Sequence, residues 1–392
     1  MKISLGMILK PGAWGGGNQF GHSLSSYLEK KGCFVYFDLY EPDLDIIILT
    51  DPRSNLSSSS YSHEKIIDYL KNINDKAIVV HRINECDERK KTRYVNNLLL
   101  EANKIADHTV FISSFLQDLF INQGLKSESS VILNGGKPEI FYGDDGKKDF
   151  GNGPTKIVTH HWGGNWLKGF DIYDRLDQML SHDRWRDLIS FTYIGQLPEN
   201  FNFNNAKYIE PLSGIELADE LRRHHVYLTA SRNEPAGMHH IEGALCHLPL
   251  LYVESGALPE YCHGFGISFT PEYFEEKLLE IMDNYDHWIS KMPSYPHTAQ
   301  KMCGEYYTLF TKLVENRNEI LEQRKPIPNI AITQKYLFFS IKAKILLKAQ
   351  SFLLSLINEN PNSRISKNGY WPLKKCALFL YNVFFYKGKK EK

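Results

Sequence analysis

Short runs of β-branched and aromatic residues alternate with amphipathic stretches along most of this chain, and that alternation restricts the fold more than any other feature. A strand run followed by a helical run and another strand run is what a parallel, doubly wound sheet requires. The first series predicts strands at Ile3 to Leu9, Cys33 to Phe37, Asp45 to Leu49, Ala77 to Val80, Val110 to Ser113 and Ser130 to Leu133. Between the first two lies a helix whose Phe20, Leu24, Tyr27 and Leu28 share one buried face. A second series predicts strands at Lys156 to Thr159, Ile189 to Ile194, Val226 to Ala230 and Leu248 to Val253, separated by helical stretches such as Gly214 to Arg223. The expected architecture is α/β, with two Rossmann-like domains in tandem.

Residues 144–154 divide the two series: GDDGKKDFGNGP around them is Gly-rich, charged and without periodicity, as a linker is. The expected organisation is therefore a first domain at 1–143, a linker at 144–154, a second domain at 155–323 and a tail at 324–392. At 392 residues the chain is long enough for two domains. In open sheets ligands sit beyond the carboxyl ends of the strands, so two tandem copies can face each other across a cleft. The SSSS run at Ser57 to Ser60 reads as a loop.

Charge is unevenly placed. The formal net charge is +0, yet residues 324–392 hold 14 Lys or Arg against two acids, Glu359 and Glu391. An acidic body with a basic appendage points to an anionic partner for the tail. Tyr336 to Ile357 is long enough to span a bilayer but is interrupted by Lys342, Lys344 and Lys348, and Cys376 to Tyr386 is too short. The tail is read as a helical anchor lying on an anionic membrane surface, against the alternative of helices packed on the body. No basic recognition motif accompanies the charge, so nucleic acid is not expected. The six cysteines show no CxxC pair and no metal-site spacing, and Ile3 to Leu9 is too short for a signal h-region, which points to the cytosol.

The chemistry concentrates after the strand Val226 to Ala230, in Ser231-Arg-Asn-Glu-Pro-Ala-Gly-Met-His-His-Ile-Glu-Gly-Ala. Glu234 falls in the loop and Glu242 about two turns into a helix starting near Gly237. Free amides at Gly237 and Met238, with the positive end of the helix dipole, offer a diphosphate site. In the first domain Gly15, Gly16 and Gly17 follow strand one and open a helix, so that their backbone can approach a ligand closely. A predicted end of strand four at Val80 puts His81-Arg-Ile-Asn-Glu-Cys-Asp-Glu-Arg89 at a carboxyl edge. The pairs His160/His161, His224/His225 and His239/His240 lack metal-ligand periodicity and read as solvated or packing residues.

The E-x7-E pair resembles the signature of GT-B retaining glycosyltransferases of family 4. Three further segments agree in order: Val131-Ile-Leu-Asn-Gly-Gly-Lys-Pro-Glu-Ile-Phe141, Lys168-Gly-Phe-Asp171 and Ser255-Gly-Ala-Leu-Pro-Glu260. The resemblance implies transfer of a sugar, with retention, from a nucleotide-diphosphate sugar to a hydroxyl of a glycan or lipid-linked acceptor, without a metal or other cofactor. It implies that Lys168 neutralises the departing diphosphate, Glu234 contacts the donor sugar, Glu242 holds the ribose hydroxyls and His81 lies near the reacting sugar. An Arg usual before the "KG" lysine is missing from His160-His-Trp-Gly-Gly-Asn-Trp-Leu-Lys168, so either His161 or some other residue supplies the second charge. Ala236 stands where an aromatic residue is usual. Competing readings are an inactive glycan-binding module, a nucleotide-sugar epimerase, and an NAD-dependent dehydrogenase with Asp38 on the ribose; for the last, Gly15 to Gly17 do not complete G-x-G-x-x-G with Gly21.

Overall fold

The computed structural model describes residues 1–10, 15–53, 57–143 and 153–327. The expected linker at 144–154 and the tail beyond residue 327 thus lie almost wholly outside the described residues.

Two six-stranded parallel sheets form the body. The first comprises β1 (Lys2–Leu5), β2 (Phe34–Tyr36), β3 (Ile46–Leu49), β4 (Ile78–Ile83), β5 (His108–Phe111) and β6 (Ser129–Val131), in the order β2-β1-β3-β4-β5-β6. The second comprises β7 (Thr155–His161), β8 (Ile189–Gly195), β9 (Lys207–Ile209), β10 (Val226–Thr229), β11 (Leu250–Val253) and β12 (Gly266–Phe269), in the order β12-β11-β10-β7-β8-β9. Every pairing is parallel. Strand order reverses at β1/β3 in one sheet and at β7/β10 in the other, and the crevices at such reversals are where ligands enter open α/β sheets. The glycine loop follows β1, the lysine loop follows β7 and the Glu234 loop follows β10.

Central strands are buried on both faces, which explains their unbroken apolar runs: all four residues of β3 and of β11 are inaccessible or nearly so. Two short edge strands, β9 and β12, escape a reading by periodicity. Lys207 and Tyr208 of β9 are exposed, and β12 opens on a glycine.

The last long helix, Ala299–Glu315, which falls within the range expected for the second domain but after its last strand, packs on the first. Its Met302, Cys303, Tyr306, Phe310 and Leu313 join Phe20, Leu24 and Leu28 of the helix Gly16–Lys30 in one apolar cluster. Arg324, just beyond, pairs with the buried Asp107 at 2.6 Å and closes the first domain's edge. Among the described residues no helix is long and apolar enough to cross a membrane.

Candidate active site

The carboxyl edges of the two sheets line a cleft of about 390 Å³. Two helix N-termini enter it from opposite sides, that of Gly16–Lys30 and that of Met238–Leu245. They come so close that a Cβ on Gly16 would lie 2.7 Å from Cγ of Met238, which is why glycine stands there. Gly15, Gly16, Gly17, Gly237 and Met238 all line this space. Seven of the eight residues of Met238–Leu245, from His239 to Leu245, are buried, so packing fixes the aim of this helix.

Lys168 ends a short turn, Trp166–Lys168, and Gly169 starts the next helix with φ of 96°. A Cβ on Gly169 would stand 2.4 Å from that of Ala230 at the end of β10, so the glycine lets the lysine loop lie against the Glu234 loop. As a result Lys168 Nζ reaches Glu234 Oε2 at 2.5 Å. The Glu234 loop is fixed in turn by Ser255, whose hydroxyl accepts from the Asn233 N–H, and by Ala257, whose N–H donates to the Glu234 carbonyl. Burial pushes the Glu234 carboxyl up, but Lys168 and Arg89 outweigh it and hold the group well below the usual carboxylate range. Burial also lowers Lys168, which Glu234 only partly offsets.

Glu242, the other carboxylate, lies against His160 Nε2 at 2.8 Å, and the other ring nitrogen of His160 faces the Tyr227 hydroxyl at 3.0 Å. With Nε2–H donating to Glu242, Nδ1 accepts from Tyr227, so one tautomer satisfies both contacts. His160 is thus a positioning partner for Glu242, a role that a bare histidine pair does not disclose. Gln19 of the first domain approaches the same carboxylate at 3.4 Å.

His161 lies at the cleft wall yet is buried, its Nε2 2.7 Å from the Tyr173 hydroxyl and its ring 4.5 Å from that of His239. Burial and then the charge of Lys168 hold it neutral, well below the usual imidazole value. It packs beneath the site and brings no charge to it. None of the paired histidines is solvated: His224, His225, His239 and His240 are buried as well.

His81 is not part of the cleft. Sequence reasoning ends its strand at Val80, but β4 runs on to Ile83, with His81 paired in register to Leu49 and Thr109. Three more residues of strand carry His81 inside the sheet, where its Nδ1 meets Asn103 at 3.1 Å and burial pushes it down to about 3. The cleft residue from this strand is its neighbour Arg82, since successive side chains on a strand point to opposite faces. Arg82 is 2% exposed, stacks 3.8 Å over Phe20 and donates to the Tyr306 hydroxyl and to Asn134 Oδ1.

Arg89 also reaches the cleft, its Nη1 3.2 Å from Glu85 and its Nε 3.6 Å from Glu234 Oε1. Burial opposes its charge, but Glu234 and Glu85 more than compensate and raise it. Sequence reasoning passes over both arginines, though both stand in the stretch it singles out. Asp38 turns back on the N–H of Tyr40 at 3.1 Å and does not line the cleft.

The Ser255 to Glu260 segment joins the domains. Glu260 accepts from both the N–H and the hydroxyl of Ser114, and the Tyr261 hydroxyl accepts from the Asn134 N–H and donates to the Ile112 carbonyl. Among the described residues no group of three or more His, Cys, Asp and Glu is arranged to hold a metal ion.

No family model matches the chain. Over 188 residues it is 29% identical to an uncharacterized glycosyltransferase of Methanocaldococcus jannaschii, a match that spans 46% of this chain and 50%, half the length, of that relative. Its fold is similar to that of sucrose-phosphate synthase from Thermosynechococcus elongatus, with TM-score 0.55 and 11% identity over 80% of this chain and 99% of that one. It is similar also to S. aureus TarM in complex with Fondaparinux, alpha-GlcNAc-glycerol and UDP, with TM-score 0.53 and 13% identity over 75% and 59% of the two chains. Anabaena HepE in complex with UDP-glucose aligns with TM-score 0.50 and 14% identity over 82% of this chain and 100% of that one. These likenesses establish the GT-B fold: two parallel, helix-covered sheets that face each other across a cleft.

Proposed function

We propose that this protein is a glycosyltransferase that moves a sugar, with retention and without a metal, from a nucleotide-diphosphate donor to a hydroxyl of a glycan or lipid-linked acceptor. The observation that carries the reading is the convergence, at the mouth of the helix Met238–Leu245, of Lys168, Glu234, Glu242 and free helical amides. The leaving nucleoside diphosphate develops negative charge at its β-phosphate, and an ammonium with preorganised N–H donors stabilises that charge. The charged side chains of the cleft are Arg82, Arg89, Lys90 and Lys168 against Glu234 and Glu242. That excess of two positive charges suits a diphosphate. Glu242, oriented by His160 on Oε2, turns Oε1 to the ribose hydroxyls in place of its 3.4 Å contact with Gln19, and Glu234 turns to the donor sugar. Retention is supported by the family-4 wording of the motifs.

The relative from Methanocaldococcus jannaschii is named a glycosyltransferase, and the Anabaena neighbour is named as a complex with UDP-glucose, which supports a nucleotide-sugar donor. Melting curves with UDP-, GDP- and dTDP-sugars test the reading, because a donor that binds the folded protein alone raises the melting temperature by mass action. A saturable rise with at least one is expected, and no shift with any of them refutes the assignment.

The basic tail supports a second element of the proposal, that the enzyme works on the inner face of the cell membrane. Basic residues near an anionic leaflet contribute about 1 kcal/mol each. Flotation with anionic liposomes should carry up the full chain at low salt and leave behind a chain ending at residue 327. Equal recovery of both in the soluble fraction refutes the anchor.

A further inference from the structure

We propose that Arg89, carried by the first domain, is the second cation of the diphosphate clamp whose first cation, Lys168, stands on the second domain. The inference rests on the reading of the cleft as a nucleotide-sugar site. The charge of a diphosphate calls for more than one cation, and from the last two residues of β7 up to Lys168 the chain offers only His160 and His161. His160 is committed to Glu242 and Tyr227, and His161 to Tyr173 in a buried wall of rings. Neither can turn a charge toward the ligand.

Arg89 can. Glu234 bridges the two cations, with Oε2 on Lys168 at 2.5 Å and Oε1 toward Arg89 Nε at 3.6 Å. These residues come from opposite walls of the cleft. Only Nη1 of the guanidinium is committed, to Glu85; among the described residues Nε is buried without a hydrogen-bond partner, and Nη2 forms none. Two adjacent donors on a rigid planar fork are what recognises two phosphate oxygens. Before the donor arrives Glu234 is the common counter-ion of both cations. When a β-phosphate takes that place, Lys168 and Arg89 transfer to it and Glu234 is released to the sugar hydroxyls.

The proposal separates diphosphates from monophosphates, since the clamp grips the β-phosphate alone. Titration calorimetry with UDP, GDP and dTDP and with UMP, GMP and dTMP tests it on the full chain and on Arg89→Ala, Arg89→Gln and Arg89→Lys. The diphosphate bound best by the unaltered protein should lose at least tenfold in affinity in Arg89→Ala and Arg89→Gln, and its monophosphate less than threefold. Arg89→Lys should regain part of the loss. Arg89→Gln keeps the stem and guards against a change that merely loosens the fold. Equal losses for diphosphate and monophosphate, or no loss for either, overturn the role of Arg89 and leave the donor site standing. An unaltered protein that binds none of the three diphosphates overturns both.

Discussion

Mild acid should unfold this protein through its buried imidazoles, and the size of the effect can be worked out from the structure. His81, His161, His239 and His240 are all buried, and burial is the first cause holding each neutral. His81 and His240 are pushed down to about 3, and the other two well below the ordinary imidazole value of 6.5. The folded value of each lies below the unfolded one, so between the two values the unfolded chain binds more protons. Stability is therefore fully present above about pH 6.5 and falls as pH falls toward 3. At pH 5.5 each imidazole withdraws about 1.4 kcal/mol, and the four together about 5.5 kcal/mol. With a urea slope of about 3 kcal/mol/M, the midpoint should drop by roughly 1.8 M between pH 7.5 and 5.5. Glu234 adds a loss of the same sign only below about 4.5, outside this window. His240 provides the internal control, because neither ring nitrogen has a hydrogen-bond partner among the described residues. His240→Leu should match or exceed the parent midpoint at pH 7.5 and remove about 1.4 kcal/mol of the acid loss. Urea midpoints that do not move between the two pH values, or a His240→Leu protein that keeps the whole loss, would refute the reasoning.

Lys168→Ala should cut turnover with the identified donor by on the order of a hundredfold or more, while Glu242→Ala should mainly weaken donor binding, a split that steady-state kinetics resolves. Near-normal turnover in Lys168→Ala would place the clamp elsewhere. Gly243→Ala should cost about 1–3 kcal/mol, since a Cβ there would stand 2.3 Å from the buried Tyr227 ring; calorimetric melting checks it, and an unchanged curve refutes the packing. Arg324→Ala should cost about 3 kcal/mol by stripping Asp107 of its cation, and a chain ending at residue 323 should lose as much against one ending at 327 in urea unfolding. Equal stability would show that Asp107 is satisfied by its other partner, the N–H of Val79.

Much of the fold was legible because strand and helix periods are local. Ile46 to Leu49 and Leu250 to Val253 announce buried parallel strands by composition, and the helix at 16–30 shows its buried face in Phe20, Leu24 and Leu28. The motif residues Lys168, Glu234 and Glu242 also stand in the sequence, each in the loop or helix that follows the strand presenting it. What the sequence could not reveal depends on where a strand stops and on which distant side chains meet. One predicted strand end, three residues early, moved His81 to the cleft and hid Arg82, because the two faces of a strand alternate with every residue. Val80 and His81 carry no local signal that distinguishes a strand end from a strand middle; pairing with β3 and β5 decides it. The helix at 299–315 follows the second sheet in sequence yet completes the first core, a choice made by the complementary faces of Phe20 and Tyr306, whose rings lie 5.3 Å apart. Arg89 and Glu234 are likewise far apart in the chain, and nothing local to either records the other. Periodic burial is encoded residue by residue along one segment, whereas the balance of charge across a cleft is settled only when two domains bring their edges within a few ångströms.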